Sequence, residues 1–453
     1  MSVTQTMEEF QSILENEVPT LARETGAVKR KRKEGLDSVT LVMTVIFGFW
    51  QIPDLRLSGL AQMMGRRAVK VSASAICQRF TAPTAELFRR VLQRFAQVRL
   101  QSDKVEIALF QTFRAVIVED SSTIHLPACL AGMWQGCGGN AGRGEAALKI
   151  FVRWNVLTGQ VLGPELTNAR TSDHRGPFHE EDLVPGCLYL ADLGFFAIKR
   201  LQTIARGSKG SFTKAEKRFF VTRWQPRTIL YTRSGHRLDL KGLLPQQVGQ
   251  VRELGVVLGK HDPLAIRLIV VKVPEDVANE RRERMKETAQ KHGRQPGEDV
   301  LFFAGWSIVL TNIARTTADF SQILVLLRLR WQIERLFRLW KEDGKIDEWR
   351  SKNPSRQLSE FSAKLCAMIM QQALMQEGCW LDPYRSIVKA AACIRHEINR
   401  LMIAFCEGGV HKTVLSILCC FRSGCQLDRR AAHPSTAQLL VNGLDWELEL
   451  LLT

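Results

Sequence analysis

From Arg330 to Lys341 the chain reads Arg-Trp-Gln-Ile-Glu-Arg-Leu-Phe-Arg-Leu-Trp-Lys, a single carboxylate among cations and apolar side chains. At about 100° per residue this spacing predicts a helix. Leu327, Arg330, Glu334, Arg338 and Lys341 then share one face, with Ile333, Phe337 and Trp340 on the neighbouring apolar stripe. An acid flanked by bases suits a metal ion beside a phosphate. The same residues also suit an amphipathic helix with a solvated face, in which Glu334 pairs with Arg330 and Arg338 at four-residue spacing. The choice rests on the elements that bring partners to Glu334.

The chain has 453 residues, 45% of them hydrophobic, enough for buried cores and for about two to four domains. A formal net charge of +17 points to a polyanionic partner, either nucleic acid or an anionic membrane surface. No segment reaches the ~20 apolar residues that span a bilayer. Residues 1–10 lack the basic start and apolar core of an export signal. The expectation is a cytoplasmic protein with no membrane partner. Eleven cysteines form no Cys-x2-Cys pair and have no regular histidine spacing, so they read as mostly buried free thiols rather than zinc ligands.

Residues 1–105 read as mostly helical, with a basic run Lys29–Lys33 that is either a solvated loop or a phosphate-contacting arm. Leu57 to Gly65, followed by Val71 to Phe80, suggests a helix, a glycine turn and a second helix capped by Ser72 or Ser74. This pair fits either a DNA-binding helix-turn-helix with a long turn or a plain helical hairpin. From 106 the pattern changes to strands. Phe113–Asp120 is a short apolar run ending in acids, as expected of a buried strand whose end faces a cleft. Lys149–Val156 and Gln160–Gly163 read as strands joined across Leu157-Thr158-Gly159. A helical stretch is expected near Pro177–Leu183, then a second buried strand, Cys187–Asp192, again ending in an aspartate. A helix over Phe195–Ala205 and a strand over Arg218–Arg223 follow. Residues 224–312 alternate polar stretches with β-rich runs at 228–231, 265–273, 300–303 and 307–310, and 275–299 fits a solvated helix and loop. Helices resume from about 319, their apolar faces serving mainly as core.

Three strands, a helix, a strand ending in an acid and a late helix carrying an acid suit an α/β, RNase H-like catalytic core. Such a core is a mixed five-stranded sheet with flanking helices, here interrupted by a β-rich insertion and joined by helical N- and C-terminal regions. The expected divisions are 1–105, 106–225, 226–312, 313–375 and 376–453. In that fold Asp120 and Asp192 lie on neighbouring strands, and Glu334 closes the cleft. Hard divalent cations take oxygen ligands, and two of them about 3.5–4 Å apart can activate a nucleophile and stabilise the leaving oxygen of a phosphodiester.

These residues resemble the cut-and-paste DDE transposases of bacterial insertion sequences, in the insertion-sequence-four family marked by Tyr-x2-Arg-x3-Glu-x6-Lys. Arg330, Glu334 and Lys341 stand at the signature spacing, and Leu327 replaces the tyrosine. Glu119-Asp120-Ser121-Ser122 and Ala191-Asp192-Leu193-Gly194 resemble the two aspartate motifs, and the resemblance runs from about 110 to 375. It implies Asp120, Asp192 and Glu334 as catalytic metal ligands for two Mg²⁺ or Mn²⁺ ions, with Arg330 and Lys341 holding phosphates. It also implies DNA contacts by Arg223 and Lys149, and by Trp306 through stacking on a flipped base. Lys149 equally suits a strand edge and Trp306 equally suits strand core. His125, His174 and His179 are given no catalytic role.

The implied reaction is substitution at phosphorus. Water attacks the element end, the freed 3′-hydroxyl attacks the opposite strand to form a hairpin, and after hairpin opening it attacks target DNA. The implied partners are double-stranded DNA, as terminal inverted repeats and target, and a second copy of the chain in a synaptic dimer, in the bacterial cytoplasm at the nucleoid. Two other readings are a catalytically inactive, domesticated DNA-binding derivative acting as a regulator, and an RNase H-like nuclease without strand transfer. The presence of all three acids favours the enzyme over the first, and the helical N-terminal region and β insertion weigh against the second.

Overall fold

The computed structural model describes residues 2–28, 36–99, 107–137, 145–206, 217–291, 293–377, 382, 384–427 and 436–441. The basic run at 29–33 and Cys379 lie outside the described residues. The chain opens on α1 (Val3–Ser12), α2 (Val18–Glu24), α3 (Ser38–Gln51), α4 (Leu57–Arg66), α5 (Ala73–Cys77) and α6 (Ala82–Gln97). Side-chain caps set the starts of α3 and α5: Asp37 Oδ1 accepts the Thr40 N–H at 2.7 Å, and Ser72 Oγ accepts the Ala75 N–H at 3.1 Å. Of the two candidate serines, Ser72 caps α5.

Next come β1 (Val116–Leu126), β2 (Ala146–Asn155), β3 (Val161–Asn168), β4 (Leu188–Ala191), α7 (Ile198–Arg206) and β5 (Phe219–Arg223). They are followed by β6 (Leu230–Tyr231), β7 (Val251–Leu258), β8 (Leu264–Lys272), α8 (Glu275–Lys291), α9 (Glu298–Phe303) and β9 (Trp306–Thr311). The chain then runs through α10 (Phe320–Arg328), α11 (Trp331–Glu342), α12 (Pro354–Met375), α13 (Ile387–Glu407), α14 (Val410–Gly424) and α15 (Thr436–Val441).

Several expectations are corrected. Residues 177–183 form bends and turns instead of a helix, hemmed in by Gly176-Pro177 on one side and Pro185-Gly186 on the other. The apolar run at 300–303 belongs to α9, whose first turn carries Glu298 and Asp299 after Gly297. Acids at that place favour a helix N-terminus. The helix expected from Phe195 starts only at Ile198, after a 3-10 turn at Leu193–Phe195. Strand β1 does not stop at Asp120 but continues to Leu126. The long helix expected through 330–341 is interrupted: the Leu329 and Arg330 N–H groups bond the Leu326 and Leu327 carbonyls. These three-residue turn bonds end α10 and leave Arg330 just outside α11. Of the ten cysteines described, Cys77, Cys129, Cys137, Cys419 and Cys420 are exposed, so the expectation of mostly buried thiols fails for half of them.

The chain forms two compact units. One gathers the described residues of Met1–Val105, Ser121–Thr171 and Ile333–Arg429. Its hub is α12, buried almost continuously from Gln357 to Met375, with α3 and α6 packed on it. Each fully buried Leu, Met or Phe there contributes roughly 1.5–3 kcal/mol. The Trp50 indole N–H donates to Gln371 Oε1 at 3.0 Å, satisfying a polar pair inside that core. Helix α13 packs on α3 and α14, so the helices from both ends of the chain share one interior. The strand order in this unit is β3-β2-β1, with β2 and β3 antiparallel and Lys149 opposite Thr167. Gly159 turns the hairpin at φ +74°, and a Cβ there would stand 2.6 Å from Gln376 Cγ. Only glycine fits both demands.

The other unit gathers the described residues of Glu106–Asp120, Ser172–Gln332 and Arg430–Thr453. Its strand order is β1-β4-β5-β9-β8-β7-β6. β1, β4 and β5 are parallel neighbours, and the later pairs are antiparallel. All of β4 is buried, the pattern of a central parallel strand, and α7 makes the crossover to β5. With parallel and antiparallel strand pairs and many helices, the fold is of the expected mixed α/β, RNase H-like class. Strands from the insertion extend the sheet from β5 onward. Thr311 Oγ1 donates to the Phe220 carbonyl at 2.7 Å, and Asn312 Oδ1 accepts the Phe220 N–H at 2.8 Å, pinning β9 to β5.

Candidate metal and DNA site

The parallel register of β1 and β4 ends with Glu119 opposite Ala191. The next residues on the two neighbouring strands are Asp120 and Asp192. Asp192 leaves β4 in extended conformation, φ −75° and ψ 168°, and its side chain is 48% exposed. The 3-10 turn behind it is tightly set, since a Cβ on Gly194 would collide with the Asp173 carboxylate. Asp120 lies within β1 and Asp192 just beyond β4, both partly accessible, each one residue past the last pair of the register.

Beneath Asp120 lies an ion cluster that the sequence did not reveal. Glu119 is wholly buried, and Arg200 from α7 reaches its Oε1 at 3.0 Å while meeting Glu180 Oε1 at 2.8 Å. The guanidinium also stands 5.4 Å from the Tyr189 ring centroid and 5.3 Å from that of Phe195. Burial works against the Arg200 charge, but Tyr189, Glu119 and Glu180 outweigh it and hold its pKa above the usual arginine value. The cluster ties α7 to the strand residue just before Asp120.

Arg330 Nε stands 3.8 Å from Asp192 Oδ1, and its side chain is only 13% exposed. The structure thus brings one of the signature cations to one of the two aspartates. Glu334 lies in the first turn of α11 and is half-buried. On the same helix Lys341 donates from Nζ to the Thr123 carbonyl of β1 at 3.2 Å. Leu327, at the tyrosine position, is half-buried in α10.

The remaining candidates have protein partners. Lys149 Nζ donates to the Thr171 carbonyl at 2.7 Å. The Trp306 indole N–H donates to the Pro245 carbonyl at 2.8 Å, and Lys272 Nζ stands 4.1 Å from its ring centroid, with Phe302 packed 5.2 Å away. Trp306 is therefore held by its surroundings and is half-buried. Arg223 ends β5 and is exposed, opposite Val309 of β9. The His174 ring meets Ser172 Oγ at 3.5 Å.

The carboxylate oxygens of Asp120 and Asp192 are hard donors, the type that a Mg²⁺ or Mn²⁺ ion takes. Among the described residues no three His, Cys, Asp or Glu side chains gather closely enough to hold an ion. Asp120 and Asp192 follow paired residues of neighbouring strands, and Arg330 stands beside Asp192. Among the described residues no helix is long and apolar enough to cross a membrane.

The chain is similar to known transposases. The transposase for insertion sequence element IS231C of Bacillus thuringiensis subsp. berliner is 26% identical over 369 residues, covering 78% of this chain and 76% of that protein. The transposase for insertion sequence element IS1151 of Clostridium perfringens is 22% identical over 377 residues, covering 80% and 78%. A chain from the cryo-EM structure of the piggyBac transposase synaptic complex with hairpin DNA aligns with 95% of this chain and 87% of its own, at TM-score 0.45 and 9% identity. The transposase DDE domain family matches residues 111–370, more than half of the sequence, and the chain belongs to that family of DDE transposases.

Proposed function

We propose that this DDE transposase mobilises an insertion sequence by metal-dependent cut-and-paste chemistry, with Asp120, Asp192 and Glu334 as its catalytic carboxylates. As a DDE transposase the chain is an enzyme of DNA cleavage and strand transfer. The observation that supports this choice of residues is the β1–β4 register, which ends one residue before both aspartates. Two Mg²⁺ or Mn²⁺ ions held by Asp120, Asp192 and Glu334 would supply an activated water and stabilise the leaving oxygen.

Arg330 orients the Asp192 carboxylate and lends a guanidinium suited to bidentate phosphate contact. Lys341 anchors α11 to β1 through Thr123 and adds a second cation for the DNA backbone. Arg223 meets the DNA from the end of β5. Lys149 does so after giving up its bond to Thr171, and Trp306 stacks on a base only if Lys272 leaves its ring. Hydrolysis at the element end frees a 3′-hydroxyl, which attacks the opposite strand to form a hairpin and, after opening, joins target DNA. A dimer synapses the two terminal inverted repeats.

The test is cleavage of a duplex carrying the element's own ends, in Mg²⁺ or Mn²⁺, by the wild type and by Asp120→Asn, Asp192→Asn and Glu334→Gln. Each substitution should lower cleavage roughly 10³-fold or more and leave end binding within a few-fold. A Glu334→Gln protein that cleaves normally removes Glu334 from the site.

A further inference from the structure

Three thiols come together where α13 and α14 pack on each other. Cys393 lies on α13, Cys420 lies on α14, and Cys425 directly follows α14. Backbone bonds hold the two helices in place at this end. The Ser386 N–H, at the start of α13, donates to the Cys425 carbonyl at 2.7 Å, and the Leu427 N–H donates to the Tyr384 carbonyl at 2.6 Å. Arg385 and Gln426 pair there as an antiparallel bridge. About two turns along α13 from Ser386, the Cys393 thiol is hydrogen-bonded to the thiols of Cys420 and Cys425.

The thiols are not arranged to hold a metal ion, so their chemistry is that of sulfur with sulfur. They differ in access: Cys420 is exposed, Cys393 is half-buried and Cys425 is buried. Burial, then charge on Cys420 and Cys425, then the bond to Cys420 push the Cys393 thiol up to about 12, so Cys393 keeps its proton at neutral pH. Burial also pushes the Cys425 thiol up, against the Arg385 charge. Of the three, Cys420 is the one that a dissolved oxidant reaches. Sulfurs in hydrogen-bond contact must approach by only about 2 Å to reach the S–S bond length, a distance within the reach of side-chain rotation.

We propose that Cys393 and Cys420 form a reversible disulfide that staples α13 to α14, made by exchange with a small-molecule disulfide such as oxidised glutathione. The Cys420 sulfur attacks one sulfur of the oxidant, whose S–S bond breaks; one glutathione leaves with the Cys420 proton, and a mixed disulfide remains on Cys420. The Cys393 sulfur then attacks the Cys420 sulfur, and the second glutathione leaves with the Cys393 proton. The chain gives up two electrons and two protons, and one oxidised glutathione becomes two reduced ones. The firmly held Cys393 proton makes the second step the slow one, because the thiolate is the nucleophile.

The experiment equilibrates the folded full chain with oxidised glutathione, blocks the remaining thiols with iodoacetamide and maps the tryptic peptides by mass without reduction. Cys393 falls in Ala390–Arg395, Cys419 and Cys420 in Thr413–Arg422, and Cys425 in Ser423–Arg429, so each pairing of these peptides has its own mass. The wild type should first carry glutathione on Thr413–Arg422 and end with that peptide linked to Ala390–Arg395. Its urea midpoint should rise with the link and return after dithiothreitol, since a cross-link restricts the unfolded chain. Cys393→Ser and Cys420→Ser should each lack both the link and the rise, and Cys419→Ser should keep both. Cys420 is exposed, so its serine variant carries the test if Cys393→Ser does not fold. The proposal is overturned by a wild type that stops at the glutathione adduct, by a link that survives Cys420→Ser, or by Ala390–Arg395 linked to Ser423–Arg429 in place of Thr413–Arg422.

Discussion

Replacing Arg200 by methionine tests whether the ion cluster under Asp120 holds β1 and α7 in place. The side chains of Arg200 and Glu119 are 5% and 0% exposed, with 3.0 Å between Nη2 and Oε1. At that distance and an effective dielectric constant near 20, the attraction is roughly 5 kcal/mol. Part of this is already offset by desolvation of both groups, which the methionine variant does not recover, because Glu119 stays buried. Removing one partner of a buried pair costs about 3–5 kcal/mol, and the lost contacts with Tyr189 and Phe195 place Arg200→Met near the upper end. Urea unfolding at pH 7 measures the total, and hydrogen exchange at the Leu188–Ala191 amides measures local opening of β4. Because the pair is shielded from solvent, 0.5 M NaCl should change the loss little. Adding Glu119→Gln to Arg200→Met should restore a large share of the stability, since no buried carboxylate is then left without its cation. Cleavage should fall in Arg200→Met because Asp120 follows Glu119 directly. A variant within about 1 kcal/mol of wild type, with unchanged exchange in β4, would refute the reasoning.

Two further outcomes follow from buried or crowded positions. Lys364 donates to the Lys345 and Glu348 carbonyls at 2.9 and 2.7 Å, and burial pulls its pKa down from 10.5 to about 8. The folded chain then binds fewer protons than the unfolded chain between those two values. Stability should rise by about 3 kcal/mol as pH goes from 8 to 10.5, the penalty being complete below pH 8; urea midpoints of Lys364→Met across that range should lack this rise. Gly194→Ala would drive a methyl group against Asp173, two residues after Asp192, and should lower cleavage by up to roughly 10²-fold. Gly132→Ala, with nothing within 4 Å of the new methyl, should be neutral in the same cleavage assay.

The two aspartates were legible because each follows a run of apolar residues long enough to mark a buried strand, and the strand order then makes them neighbours. Arg200 was not, for its partner Glu119 stands 81 positions away and no local pattern links them. Strand β7 was missed because Arg252, Glu253 and Gly255 dilute its alternation, and only Val256 and Leu258 of it are buried. The apolar run at 300–303 is too short for periodicity to separate strand from helix. The cue lay in Glu298 and Asp299, which sit where a helix N-terminus favours them.

Strand β5 has a parallel neighbour on one side and an antiparallel one on the other. A parallel core that ended at β5 would leave the polar groups of Val221 to Arg223 as an open margin, ready to template pairing with another chain. In this chain β9 covers that margin, and β8, β7 and β6 carry the sheet outward until it ends in the two-residue strand Leu230–Tyr231. Short terminal strands are one way that sheets discourage edge-to-edge aggregation. Strands β6 to β9 thus leave β5 with no open margin and end the sheet on its shortest strand.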